Sequence, residues 1–125
     1  MQYINKKILI VDDDPVQTKL LEHCIGKEGY EVLFTNEAAD GLQMAMDENI
    51  DVLILDVMMP IINGYNFCKL LKSEENHLDI PVIFLTSRDE KDDIAIGHEM
   101  GASAYMTKPV DIKILIKKIQ ELLEN

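Results

Sequence analysis

Asp12, Asp13 and Asp14 stand side by side directly after Ile8-Leu9-Ile10-Val11. Asp56 follows Val52-Leu53-Ile54-Leu55, Thr86-Ser87 follow Val82-Ile83-Phe84-Leu85, and Lys108-Pro109 come just after Ala104-Tyr105-Met106. Adjacent carboxylates repel one another and gain nothing by themselves. An acid flush against a buried aliphatic run also incurs a desolvation cost that a surface turn does not require. Asp14 has its own explanation: it precedes Pro15, with Gln17 three residues on, which is the pattern of a helix N-cap. Thr86 and Ser87 alone are ordinary turn residues, and Lys108 alone is a solvated surface lysine. Asp12 and Asp13 have no such excuse, and capping the turn after its strand, the plain alternative for Asp56, does not require that desolvation cost. Three carboxylates converging in one cleft resist simultaneous ionisation unless a cation lies among them. Mg²⁺ suits the set, because it takes one or two carboxylates, keeps several waters and completes its shell with phosphate oxygens. A carboxylate, a divalent cation, a lysine and a hydroxyl together make a phosphoryl-transfer site. The carboxylate attacks phosphorus to form an acyl phosphate, and the cation and ammonium neutralise the transferred group.

These side chains act together only if the chain brings them to one edge. Five short strands are predicted, over Ile8–Val11, Glu31–Phe34, Val52–Leu55, Val82–Leu85 and Ala104–Met106. The first, third and fourth are continuous aliphatic runs, as in parallel strands covered on both faces. Between them lie helix-period segments. Pro15–Lys27 opens on proline and stops before Gly29, and Ala38–Met46 carries Ala38, Leu42, Ala45 and Met46 on one face. Gly64–Lys72 carries Phe67, Leu70 and Leu71, and Lys91–Met100 ends before Gly101 as a cap. In Asp111–Leu123, Ile112, Leu115, Ile116, Ile119, Leu122 and Leu123 recur at helical spacing. Residues 1–125 therefore read as a single α/β domain of five β-α units with right-handed crossovers and helices on both faces. Ligands of such sheets bind beyond the carboxyl ends of the strands, where all the polar groups above fall.

Composition removes other classes. The net charge is −11, from 12 basic and 23 acidic residues, and the only arginine is Arg88. That balance disfavours direct nucleic-acid binding and anionic membranes and favours cations or basic partners. No apolar run approaches a membrane span, and the run after Lys6-Lys7 is cut by Asp12, too early for a signal peptide, so a cytoplasmic location is expected. Cys24 and Cys68 read as reduced, buried thiols on helices, and His23, His77 and His98 as scattered surface or boundary residues.

Nearly the whole chain, Lys7 to Leu123, resembles the receiver domain of bacterial two-component response regulators. The resemblance is carried by Asp12-Asp13, by Asp56-Val57-Met58-Met59-Pro60-Ile61-Ile62-Asn63-Gly64, by Thr86-Ser87 and by Lys108-Pro109. It implies a flavodoxin-like three-layer fold with a five-stranded parallel sheet of order 2-1-3-4-5. It implies that Asp56 accepts a phosphoryl group from a sensor histidine kinase or histidine phosphotransfer protein. Asp13 would ligate Mg²⁺ directly and Asp12 largely through water, with the Met58 backbone carbonyl as a further ligand. Lys108 would pair with phosphoryl oxygens, and the peptide to Pro109 would be cis. Thr86 would move to the phosphoryl oxygens and Tyr105 rotate inward, altering the surface around the fourth helix, fifth strand and fifth helix. Tyr105 has a plain alternative as a half-buried strand aromatic. Such a chain is a signalling switch that catalyses only its own phosphorylation and dephosphorylation.

Three competing readings differ in what they demand. Asp12-Asp13-Asp14-Pro15-Val16 is similar to the nucleophile motif of haloacid-dehalogenase-type phosphatases, but that reading lacks an acidic pair after Lys108 and leaves Asp56 idle. A flavin carrier would need a Ser/Thr/Gly-rich phosphate loop where Asp12–Asp14 stand. A pure interaction module would have no use for the intact acceptor set. The output is a downstream protein target or a separate output domain, as a stand-alone regulator or as part of a longer protein. Ile114, off the buried stripe, marks a surface for a phosphorylation-dependent homodimer.

Overall fold

A computed structural model describes residues 6–57, 64–72, 80–86 and 103–124. The helix expected over Lys91–Met100, its Gly101 cap, and Met58, Ser87, Arg88, His77, His98 and the Cys68 side chain lie outside the described residues.

Five strands, β1 (Lys7–Val11), β2 (Glu31–Thr35), β3 (Val52–Asp56), β4 (Val82–Thr86) and β5 (Ala104–Thr107), form one parallel sheet in the order β2-β1-β3-β4-β5. The expected fold class and strand order are therefore observed. The aliphatic runs of β1, β3 and β4 are buried because the pleat sends alternate residues into two cores. Leu9, Val11, Leu53, Leu55, Val82 and Phe84 meet Phe67 and Leu71 of α3 (Gly64–Lys72) and Ala45 of α2 (Ala38–Asp47). Ile8, Ile10, Ile54, Ile83 and Leu85 meet Leu21 and Ile25 of α1 (Pro15–Gly26) and Leu115 and Ile119 of the C-terminal helix (Ile112–Glu124).

β1 ends at Val11 as expected, whereas β2, β3, β4 and β5 each run one residue beyond their expected carboxyl ends, because the parallel ladder continues. Asp56 pairs in register with Leu85 and Thr86 with Thr107, and beyond them Val57 N donates to Leu85 O and Lys108 N to Thr86 O. Asp56 and Thr86 are thus strand residues on a rigid backbone rather than loop residues. Asp14 caps α1 as expected, its Oδ1 accepting from Val16 N at 3.0 Å and Gln17 N at 3.4 Å. The capping box does not close: the Asp14 N–H donates to Asp12 Oδ1 at 3.0 Å. Gly29, at φ 99°, closes the turn after α1 in a conformation glycine alone adopts readily. Asp111 is the cap of the C-terminal helix, accepting from Ile114 N on Oδ1 and Leu115 N on its carbonyl.

Two expectations on helix faces need correction. Leu70 is 46% exposed, because Phe67 and Leu71, four residues apart, define the line that α3 buries and Leu70 falls beside it. Cys24 is half-buried rather than buried, though its thiol is free as expected. Ile114 is 51% exposed, as its place off the stripe requires.

Gly41 lets α2 approach the sheet. A Cβ there would lie 2.7 and 2.9 Å from the two γ-carbons of Val11 and 3.2 Å from Thr35 Cγ2. Gly41→Ala gains up to ~1 kcal/mol of helix propensity but overpacks a β-branched strand residue, at about 1–3 kcal/mol. The expected result is a lower urea midpoint with an unchanged m-value. A raised midpoint would show that the close packing of α2 on β1 is wrong.

Candidate functional site

The carboxyl ends of β1, β3, β4 and β5 deliver their polar residues to one edge of the sheet. Asp12 follows β1 and is fully buried, whereas Asp13 points into solvent. Asp56, the last residue of β3, is 3% exposed. One carboxylate oxygen from each of Asp12, Asp13 and Asp56 lies within 4.8 Å of the others. Repulsion between two such charges is on the order of 3 kcal/mol at the effective dielectric of a protein site.

Lys108 supplies the compensating charge. Its Nζ lies 3.0 Å from Asp12 Oδ2 and 3.4 Å from Asp56 Oδ1. Burial alone would lower the ammonium's pKa. The hydrogen-bonding and charge of Asp12, and then those of Asp56, outweigh it and hold the pKa above the usual lysine value. The Lys108–Pro109 peptide is cis, as expected. Among the described residues, one ammonium faces three carboxylates in the cleft.

The two oxygens of Asp12 are unequal. Oδ1 accepts the Asp14 N–H. Oδ2 is buried and faces the Lys108 ammonium at 3.0 Å, with no other donor among the described residues. A buried carboxylate oxygen that faces a single ammonium among the described residues, beside two further carboxylates, fits a hard divalent cation.

Thr86, 4% exposed at the end of β4, and Tyr105 on β5 line one cleft of about 330 Å³ with Met106, Thr107, Pro109 and Ile114. The Tyr105 ring meets Phe84 edge-on, centroids 5.4 Å apart at 62°. Thr86 and Tyr105 are thus neighbours along one groove that opens beside the acidic edge.

Asn36, directly after β2, is not singled out by its sequence context. Its Nδ2 donates to the Asp12 carbonyl at 2.8 Å and to Thr18 Oγ1 at 3.1 Å. The signal that could have found it is the one that marks the other site residues, a polar side chain at the carboxyl end of a strand.

Among known proteins, residues 8–120 match the profile of the response regulator receiver domain. Protein PilH of Pseudomonas aeruginosa is 38% identical over 117 residues, covering 94% of this chain and 97% of its own length. The high-resolution structure of Vibrio cholerae chemotaxis protein CheY4 gives a TM-score of 0.91 at 28% identity, covering 95% of this chain and 99% of that one. The receiver domain of the Pseudomonas aeruginosa sensor histidine kinase PA1611, solved with a magnesium ion coordinated in its active-site cleft, shares the fold at a TM-score of 0.89 and 24% identity, over 97% of this chain and 99% of its own. The chain spans about half the length of several other curated relatives it matches. No helix among the described residues is long and apolar enough to cross a membrane.

Proposed function

The chain belongs to the response regulator receiver domain family of two-component signalling, and from that premise we propose that Asp56 is its phosphoacceptor and that Asp12, Asp13 and Asp56, with the Met58 carbonyl, hold Mg²⁺. The observation that carries the reading is the convergence of a nearly buried acid at the end of β3 with the Asp12 and Asp13 carboxylates and the Lys108 ammonium in one cleft.

Transfer begins from a phosphohistidine on a histidine kinase or phosphotransfer protein. An Asp56 carboxylate oxygen bonds to phosphorus as the phosphorus–nitrogen bond breaks, and that electron pair returns to the imidazole. Bound Mg²⁺ supplies charge neutralisation on the transferred group. The Lys108 ammonium faces the acceptor and pairs with phosphoryl oxygens, and the Thr86 hydroxyl donates to another. Asp12 and Asp13 supply carboxylate oxygens to the cation, Asp12 from a buried and oriented position. Hydrolysis by water at phosphorus returns the Asp56 carboxylate and releases inorganic phosphate.

The switch runs through the cleft that Thr86 shares with Tyr105. Movement of Thr86 toward the phosphoryl group frees space for the Tyr105 ring and alters the face made by β5, the C-terminal helix and the helix expected over Lys91–Met100. That face is the output surface for a downstream protein or a separate domain, in the cytoplasm and without direct contact to nucleic acid or membrane. The net charge of −11 supports a basic or neutral partner.

The test is direct phosphorylation. With Mg²⁺ and acetyl phosphate, mass spectrometry is expected to find one phosphoryl group, on Asp56, and none when Mg²⁺ is chelated. A label on Asp12 would favour the phosphatase-like reading, and no label under any condition would leave an interaction module.

A further inference from the structure

We propose, resting on the Mg²⁺ reading above, that Asn36 and Thr18 form a positioning pair that sets the angle of the Asp12–Asp13 peptide for cation binding. The observation is a hydrogen-bonded chain that crosses three elements. Asn36, after β2, gives one N–H to the Asp12 carbonyl and the other to Thr18 Oγ1. Thr18 is fully buried inside α1, and its hydroxyl passes the chain on to the Pro15 carbonyl at 3.0 Å. Its backbone N–H in turn donates to the Asp14 carbonyl. Both amide hydrogens of Asn36 are used, and the threonine hydroxyl accepts once and donates once.

The consequence follows from peptide geometry. The carbonyl oxygen of Asp12 shares one plane with the nitrogen and Cα of Asp13. Fixing that oxygen fixes the direction in which Asp13 leaves the strand. Asp13 needs this help, because its carboxylate is exposed and no hydrogen bond or ion pair among the described residues holds it. Asp12 has its own side-chain anchor in the Asp14 N–H, and its N–H donates to Thr35 O. The end of β2 therefore grips the acidic loop on both sides of the Asp12 α-carbon, and only the Asn36 contact acts on the peptide that carries Asp13. The groups that orient metal ligands in this way are worth about 10–100-fold in metal affinity.

Mg²⁺ titrated into the metal-free protein by calorimetry reads this pair without any phosphorylation step. Asn36→Ala and Thr18→Val are expected to weaken Mg²⁺ binding about tenfold. Thr18→Ser keeps the hydroxyl and should bind as the unaltered chain does. Urea unfolding of each metal-free variant establishes that it is folded at the titration temperature. A purely structural role would lower the unfolding midpoint and leave the Mg²⁺ affinity where it was, and that result, or equal losses for Thr18→Ser and Thr18→Val, would overturn the proposal. Should Asn36→Ala not fold, the two Thr18 variants decide. Absence of Mg²⁺ binding by the unaltered chain would instead overturn the metal reading itself, and with it this pair's role.

Discussion

Asp56→Asn is expected to abolish acyl-phosphate formation under conditions that label the unaltered chain fully, while leaving the domain folded. The amide has nearly the shape of the carboxylate but neither its charge nor its nucleophilic oxygen. The fold should survive because residue 56 is placed by backbone pairing with Leu85 on β4, which the substitution does not touch. Lys108 Nζ, 3.4 Å from Asp56 Oδ1, keeps a polar neighbour in the amide. The cleft also loses one of its three mutually repelling carboxylates. The metal-free variant should therefore be at least as stable as the parent by urea unfolding, whereas Mg²⁺ binding weakens with the loss of a ligand. Intact-mass measurement after acetyl phosphate treatment decides the first point. A phosphoryl group acquired by Asp56→Asn at the parental rate would move the acceptor elsewhere, with Asp12 the first residue to examine.

Much of this site is legible in the sequence because burial and strand ends coincide. The runs Ile8–Val11, Val52–Leu55 and Val82–Leu85 announce strands covered on both faces, and all are fully buried. The polar residues at their carboxyl ends must then share one edge of the sheet. The finer division of labour is not legible. Asp12 and Asp13 are neighbours of identical chemistry, yet one is fully buried and the other exposed, since successive side chains leaving a strand point to opposite sides. Asn36 is inconspicuous because its partners lie 24 and 18 residues away, and a lone asparagine after a strand looks like any turn residue. Gly41 escapes for the same reason: the need for a missing Cβ arises from Val11 and Thr35, on two different strands, and no local pattern records it. Local periodicity reports which face an element buries, and only the packed sheet reports which groups then meet.

Lys108→Met is expected to slow phosphorylation of Asp56 by about 10²–10³-fold, the cost of removing one preorganised charged donor from such a site. No shorter side chain could replace the lysine. β5 lies three strands from β1, roughly 14 Å at the usual spacing, and the ammonium reaches back across the ends of β4 and β3 to Asp12. Methionine keeps much of the apolar stem and removes only the charge. It leaves the Asp12 and Asp56 carboxylates in a buried cleft without their cation, so the metal-free variant should lose about 1–3 kcal/mol of stability at neutral pH. The pH dependence identifies the source. The Lys108 pKa is raised in the folded state, burial opposing the shift and the two carboxylates outweighing it. Its charge therefore stabilises the fold fully below the unfolded lysine value of about 10.4, and that contribution is lost as pH rises through the higher folded value. Tyr30, its pKa raised by burial and by Glu28, produces an alkaline loss of the same sign in parent and variant alike, so it cancels in the comparison. Urea midpoints measured from neutral to alkaline pH without Mg²⁺ should thus show a gap between parent and Lys108→Met that is widest near neutrality and closes above the lysine range. A gap that stays constant with pH would mean that packing of the lysine stem, and not its ammonium, holds the acidic edge together.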